Sequence, residues 1–273
     1  MRLLVSVASA AEASAALAGG ADVIDAKNPM AGGLGAVSAE TLRAIHATVA
    51  DEKGYDPFST EKGVVPLFRE ARLVTAAIGD AADEAAIERT ACAFAGAGAA
   101  LVKVGFAGMT SASRVEALIR AAVRGARAGS DGNGGVVAVA YADADRAASL
   151  AAGALVDVAA RAGATGVLLD TADKAGPGLR GLLSPTALAA WVSAAREAGL
   201  LVALAGRLTA EDLAFVRDAG ADIAGVRGAA CEGGRSGRVS IERVALLRTL
   251  CGPAEAGHYG PALPSSANRS AST

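Results

Sequence analysis

Gly19-Gly20-Ala21-Asp22-Val23-Ile24-Asp25-Ala26-Lys27-Asn28-Pro29 contains the joint from which the rest of the chain can be read. An alanine-rich helical run ends on glycine, and a short apolar strand starts at once. The joint recurs. Gly96-Ala97-Gly98-Ala99 precedes Leu101-Val102, and Arg161-Ala162-Gly163-Ala164 precedes Val167-Leu168-Leu169. Glu197-Ala198-Gly199 precedes Leu200-Leu201-Val202, and Asp218-Ala219-Gly220-Ala221-Asp222 precedes Ile223. A strand that reads as one continuous apolar run is covered on both faces, which indicates a parallel sheet.

Working outward from these joints, strands are expected at Leu3–Val7, Val23–Lys27, Leu73–Gly79, Leu101–Gly105, Val136–Ala142, Gly166–Thr171, Leu201–Gly206 and Ile223–Gly228. Helices are expected after each, at Ser9–Ala18, Ala39–Val49, Asp83–Ala95, Ser113–Ala128, Ala144–Arg161, Pro185–Glu197, Ala210–Asp218 and Ile241–Leu250. Eight alternating units in one domain make an α/β protein of the (β/α)8 TIM-barrel class. An open doubly wound sheet would require a glycine-rich fingerprint after the first strand, and Ser6-Val7-Ala8-Ser9 is not one. The barrel is expected over residues 1–251. The polar stretch Ala50–Glu70 reads as an insertion in the second unit, either a lid, an oligomer contact or a surface excursion. Gly129–Gly135 reads as a flexible turn, and 252–273, rich in Pro, Ser, Ala and Gly, as a disordered tail.

Composition narrows the function. Hydrophobic residues make up 52% of the 273, and aromatics only 3%, so the core is aliphatic and no base-stacking surface is available. A net charge of −2 gives no basic field for nucleic acid. Phosphorylated small molecules stay open, because a local arginine or helix N-terminus is enough to bind them. Three scattered cysteines form neither a disulfide framework nor a metal pattern, and a reduced, cytoplasmic protein is expected. No charge-free apolar run reaches the roughly 18 residues of a membrane span. The start of the chain is too short in its apolar run for a signal peptide. His46 and His258 lack metal partners at usable spacing, so neither metal nor cofactor is expected.

Only five of the 26 basic residues are lysines: Lys27, Lys53, Lys62, Lys103 and Lys174. A lysine kept inside an apolar strand therefore asks for a reason that arginine could not serve. Lysine can lose its proton and attack a carbonyl, whereas arginine effectively cannot. Asp25 and Lys27, two apart on a strand, project to the same face. Two readings are open at that pair: a buried ion pair that fixes the strand, or an amine held for covalent carbonyl chemistry.

Active sites of this fold occupy the carboxyl ends of the strands. There the ionisable residues fall on alternate strands: Asp25 and Lys27 on the second, Lys103 on the fourth, Asp170 with Lys174 on the sixth, and Arg227 on the eighth. Alternate strands feed one interior layer, so these groups are expected to converge at one mouth. Desolvation and neighbouring cations would lower an amine's pKa, and a nearby acid or second amine could move protons. The competing reading is a layer of structural ion pairs. Phosphate binding is expected in the loops after strands seven and eight, from Gly206, Arg207, Arg227, Gly228 and Ala229, with Gly233-Gly234-Arg235 following.

Six motifs then carry a family resemblance. They are Gly19 to Pro29, Gly33-Leu34-Gly35-Ala36, Val102-Lys103-Val104-Gly105, Ala140-Tyr141-Ala142-Asp143-Ala144, Leu169-Asp170-Thr171-Ala172-Asp173-Lys174 and Gly225-Val226-Arg227-Gly228-Ala229-Ala230-Cys231. Together, from Leu3 to about Leu250, they resemble the (5-formylfuran-3-yl)methyl phosphate synthases of methanofuran biosynthesis. The resemblance implies a TIM barrel like the class I aldolases. It implies condensation of two molecules of the phosphorylated triose glyceraldehyde 3-phosphate to 4-(hydroxymethyl)-2-furancarboxaldehyde phosphate, with loss of phosphate and water. By motif match, Lys27 would form the Schiff base and Lys103 would accept a proton, with Asp25, Asp170 and Lys174 assisting. Asp25 is expected to tune Lys27, and the chain to form a homo-oligomer. The Ala50–Glu70 insertion and the tail past Gly252 depart from the family pattern.

Overall fold

Eight parallel strands close on themselves in the computed structural model, which describes residues 1–51 and 73–253. The strands are β1 (Arg2–Val7), β2 (Val23–Ala26), β3 (Leu73–Asp80), β4 (Leu101–Gly105), β5 (Gly135–Tyr141), β6 (Gly166–Asp170), β7 (Leu201–Leu204) and β8 (Ile223–Val226). Each pairs with the next in parallel, and β8 returns to β1 with Leu3 opposite Ala224. The barrel read from the sequence is present. The insertion and the tail lie outside the described residues, apart from their first residues.

The helices are α1 (Ala10–Ala18), α2 (Ala39–Ala50), α3 (Glu84–Gly96), α4 (Ala112–Ala128), α5 (Ala144–Ala147), α6 (Ala152–Ala162), α7 (Leu179–Leu182), α8 (Pro185–Glu197), α9 (Asp212–Asp218) and α10 (Ile241–Cys251). Ser9, Ser38, Asp83, Ser111 and Ser184 each accept a backbone N–H with the side chain at a helix start. Such a cap contributes about 1 kcal/mol. At the joints, Gly20, Gly98, Gly163, Gly199 and Gly220 all have positive φ, a backbone conformation that glycine adopts without steric cost.

One local expectation is corrected and two local features are added. The expected helix Ala144–Arg161 is two helices. Ala148 turns left-handed (φ 46°), and the break docks on the loop after β4 through Leu150 N–H to Met109 O and Gly108 N–H to Ala147 O. The Gly129–Gly135 turn is closed by hydrogen bonds, including Ser130 Oγ to Ala126 O and Gly134 N–H to Ser130 Oγ. After β8 the chain makes an unexpected antiparallel hairpin, β9 (Cys231–Glu232) and β10 (Arg238–Val239), before α10.

The interior of the barrel has two floors. Leu4, Val23, Leu101, Val137, Leu168, Leu201 and Ile223 form an apolar plug. Toward the carboxyl ends the buried residues become Ser6, Asp25, Thr75, Lys103 and Asp170. Outward-facing Leu3, Val5, Ile24, Val102 and Val167 pack in the other cluster with the helices. Burial contributes roughly 25 cal/mol per Å2 of apolar surface, so the plug and the helix-facing layer carry the fold. The polar floor above them contributes little to that balance and is free to serve chemistry.

Candidate active site

Asp25 sits at the centre of the polar floor and is fully buried. Register places Ser6 and Thr75 directly beside it on the flanking strands. Ser6 Oγ donates to Asp25 Oδ2 (2.8 Å), and Thr75 Oγ1 donates to Oδ1 (2.8 Å). Lys103 Nζ lies 2.5 Å from Oδ2. The carboxylate of Asp25 is thus bound to the lysine of β4, not to the lysine two residues along its own strand.

Lys27 follows β2 and keeps its strand pairing, donating its N–H to Val7 O (2.9 Å). Asn28 then turns the chain, its side chain accepting from Met30 N–H at the start of a 3-10 turn over Pro29–Ala31. The Lys27 side chain is buried and faces the mouth. Among the described residues, no carboxylate stands within ion-pairing distance of it. Burial pulls the pKa of its amine down to about 8, helped by the charges of Lys103 and Lys174 and opposed by Asp170 and, less, by Asp25. Asp25 thus acts on Lys27, and Asp170 is the stronger of the two carboxylates.

Asp170 ends β6 and is buried. It accepts from Lys174 Nζ (2.7 Å) and from the N–H of Thr171 (2.7 Å). Burial pushes its carboxyl up, but Lys174, Lys27 and these hydrogen bonds outweigh that and hold the pKa below the usual value. Lys174 also donates to Thr171 O. The structure therefore brings Asp25, Lys27, Lys103, Asp170 and Lys174 together in one mouth, as two ion pairs around one unpaired amine.

A cavity of about 570 Å3 opens above them, lined by Lys27, Lys103, Asp170, Lys174, Arg207 and Arg235 among others. Gly206, Arg227, Gly228 and Ala229 also lie on its wall. Arg207 has a left-handed backbone (φ 56°), and its guanidinium donates to Ala175 O (3.2 Å) and Gly176 O. Arg227 has a different task from the one expected of it. It donates to Glu12 Oε2 (2.5 Å) and Oε1 (3.0 Å), and to the carbonyls of Ser6, Arg235 and Gly237. Every nitrogen of its guanidinium is occupied by protein, so it braces the β9–β10 hairpin against α1 instead of offering N–H groups to a ligand.

Other residues at the mouth have tasks that the sequence reading did not assign, although Tyr141, Asp143 and Gly105 stand in its motifs. Asp143 accepts from the N–H groups of Ala172 (2.7 Å) and Asp173 (2.9 Å), and so seats the loop that carries Lys174. Tyr141 Oη donates to Asp80 Oδ1 (2.7 Å), which also accepts from Ala107 N–H (2.9 Å). A methyl at Gly105 would lie 2.3 Å from Asp80 Oδ1 and 2.4 Å from Tyr141 Oη, which explains the glycine there. These acids lie at the ends of odd strands, where the even-strand pattern did not look. Among the described residues, no group of three or more His, Cys, Asp or Glu is placed to hold a metal, and no helix is long and apolar enough to cross a membrane.

Comparison with known proteins identifies the family and agrees with the barrel. The (5-formylfuran-3-yl)methyl phosphate synthase of Methanopyrus kandleri is 40% identical over 91% of this chain and 97% of its own. That of Methanocaldococcus jannaschii is 37% identical over 92% of this chain and 100% of its own. Among solved structures, 3-hexulose-6-phosphate synthase superimposes with a TM-score of 0.58 at 23% identity, covering 92% of this chain and 99% of that one. KGPDC from Streptococcus mutans gives 0.59 at 16% identity, covering 92% and 96%. Both share the barrel, and at that identity the likeness concerns the fold. The model of the 4-HFC-P synthase family matches residues 3–248, and with relatives this similar over nearly their whole length, the chain belongs to the family of (5-formylfuran-3-yl)methyl phosphate synthases.

Proposed function

We propose that this enzyme condenses two molecules of glyceraldehyde 3-phosphate to 4-(hydroxymethyl)-2-furancarboxaldehyde phosphate through a Schiff base on Lys27. The observation that carries the reading is the unpaired, buried amine of Lys27, with a pKa of about 8, between two lysine–carboxylate pairs. At pH 7 roughly one such amine in ten is neutral, enough to start the reaction. The neutral amine attacks an aldehyde carbon, and the carbinolamine loses water to give the imine. Loss of a proton from the neighbouring carbon makes an enamine, which attacks the aldehyde of the second triose. Expulsion of one phosphate, loss of a second water and closure of a hydroxyl oxygen onto the imine carbon, which expels the Lys27 amine, leave the furan.

Each step moves a proton, and the two pairs flank the place where it must move. Lys103, once it has passed a proton to Asp25 within their pair, is the proposed acceptor of the carbon-bound proton. Lys174 and Asp170 are the pair proposed to serve the hydroxyl and phosphate departures. Gly206, Arg207, Gly228 and Ala229, on the cavity wall, are proposed to receive substrate phosphate. Incubation with glyceraldehyde 3-phosphate, with ultraviolet and mass detection of product, tests this reading. A furan aldehyde phosphate with its strong near-ultraviolet band is expected. A saturated six-carbon aldol product would instead make the enzyme a sugar-phosphate aldolase.

A further inference from the structure

We infer that Arg235 is a phosphate-binding residue of this site, taking one substrate phosphate on its open N–H groups while its remaining nitrogen holds the loop that follows Lys27. The identity of the substrate rests on the reading above; the anion site does not.

Arg235 stands in the 3-10 turn Gly234–Ser236 at the tip of the β9–β10 hairpin, and its half-buried side chain lines the cavity that Lys27 faces. Its Nη2 donates to Gly32 O (2.8 Å) and Pro29 O (3.4 Å). Its Nε and Nη1 have no protein acceptor among the described residues, and no carboxylate lies within ion-pairing distance. The contrast with Arg227, which is saturated by Glu12 and three carbonyls, is direct. A half-buried guanidinium with open N–H groups over a cavity is electrostatically incomplete, and phosphate oxygens complete it. Burial pushes its pKa down, the charge of Asp170 pushes it back up, and the charge of Arg227 lowers it again.

The backbone beneath it is fixed. Arg227 Nε donates to Arg235 O (3.1 Å), and Arg227 is itself clamped to Glu12. The side chain then crosses to the carbonyls of Pro29 and Gly32, in the turn that begins one residue after Lys27. Phosphate on this guanidinium therefore sits between a braced hairpin and the loop next to the proposed nucleophile. Arg235 is a binding residue in this account, and Arg227 with Glu12 are positioning residues behind it.

The test is calorimetric titration of inorganic phosphate into the wild type, Arg235→Met, Arg235→Lys and Arg238→Met, with folding of each checked by circular dichroism. Arg238 is an exposed arginine of the same hairpin and controls for the general field. The wild type is expected to bind phosphate saturably. Its Kd is expected to rise at least tenfold in Arg235→Met, less in Arg235→Lys, and not in Arg238→Met. With glyceraldehyde 3-phosphate, KM is expected to rise in the same proportion in Arg235→Met and kcat to change less. An unchanged phosphate Kd in Arg235→Met, equal weakening in Arg238→Met, or no saturable binding by the wild type would overturn the inference. If Arg235→Met does not fold, an unchanged Kd in Arg235→Lys overturns it instead. Absence of any furan from the wild type would remove the proposed reaction, and the phosphate titration would still judge Arg235.

Discussion

Lys103 Nζ and Asp25 Oδ2 stand 2.5 Å apart inside the barrel, joining β4 to β2 across the intervening strand β3. Both side chains are buried, and Ser6 and Thr75 occupy further positions on the carboxylate. Removing one partner strands the other. Asp25→Asn is expected to cost about 3–5 kcal/mol, the typical loss when a buried ion pair is broken. Asp25→Asn with Lys103→Met should recover part of that stability but no activity. Denaturant unfolding of the two variants checks this, and equal losses in both would mean that the pair is not coupled.

Lys27 makes a prediction of opposite sign. Its amine has a pKa of about 8 in the fold against 10.5 in the unfolded chain. Between those values the unfolded chain holds more protons than the folded one, so stability rises with pH across the window. Below pH 8 the penalty is complete, and it amounts to roughly 3 kcal/mol. Lys27→Met should therefore raise the stability at pH 7 while abolishing activity, and its advantage should fade as pH approaches 10.5. Thermal melts from pH 7 to 10.5 follow both enzymes through the window.

How much of this was legible in the sequence depends on distance along the chain. The glycine joints and apolar runs gave the eight strands, because helix ends and doubly buried strands have local signatures. The charges on even strands pointed to one mouth because the barrel alternates its strands by layer. Which amine meets which carboxylate was not legible. Lys103 reaches Asp25 through a register set by β3, and Thr75 is fifty residues from Asp25 in sequence. Arg227 read as a phosphate ligand because nothing near it announces Glu12, which lies on the first helix. The break at Ala148 was hidden for a different reason: alanine favours helix on both sides, and tertiary hydrogen bonds to the loop after β4 decide against it.

Glu12 and Arg227 give a test of the brace. Burial pushes the Glu12 carboxyl up, but the Arg227 guanidinium and the N–H of Ala8 hold its pKa below 4.5. A depressed acid stabilises the fold above its unfolded pKa, and the contribution is lost as pH falls through the folded value. Glu12→Gln should lower stability at pH 7, and the difference from wild type should shrink below pH 4.5. Its KM for the triose phosphate should also rise, because Arg227 would no longer seat the hairpin that carries Arg235. Acid titration of unfolding, with steady-state kinetics at pH 7, measures both effects.

Tyr141 and Asp80 form a third link at the mouth. Burial and the Asp80 carboxylate raise the phenol pKa far above its ordinary value, so the hydroxyl keeps its proton as a donor. Tyr141→Phe is expected to cost about 1 kcal/mol, the usual net value of one hydrogen bond. Gly105→Ala should cost about 1–3 kcal/mol, since the added methyl overpacks the same contact. Chemical denaturation of the two variants ranks them, and Gly105→Ala should be the more damaging.

Borohydride trapping tests the central claim most directly. The enzyme is incubated with glyceraldehyde 3-phosphate, reduced, and read by intact mass and peptide mapping. A single reduced triose adduct on the peptide carrying Lys27, absent in Lys27→Arg, is the predicted result. Furan formation by the wild type with no adduct at Lys27, or with the adduct on Lys103 or Lys174, would contradict it.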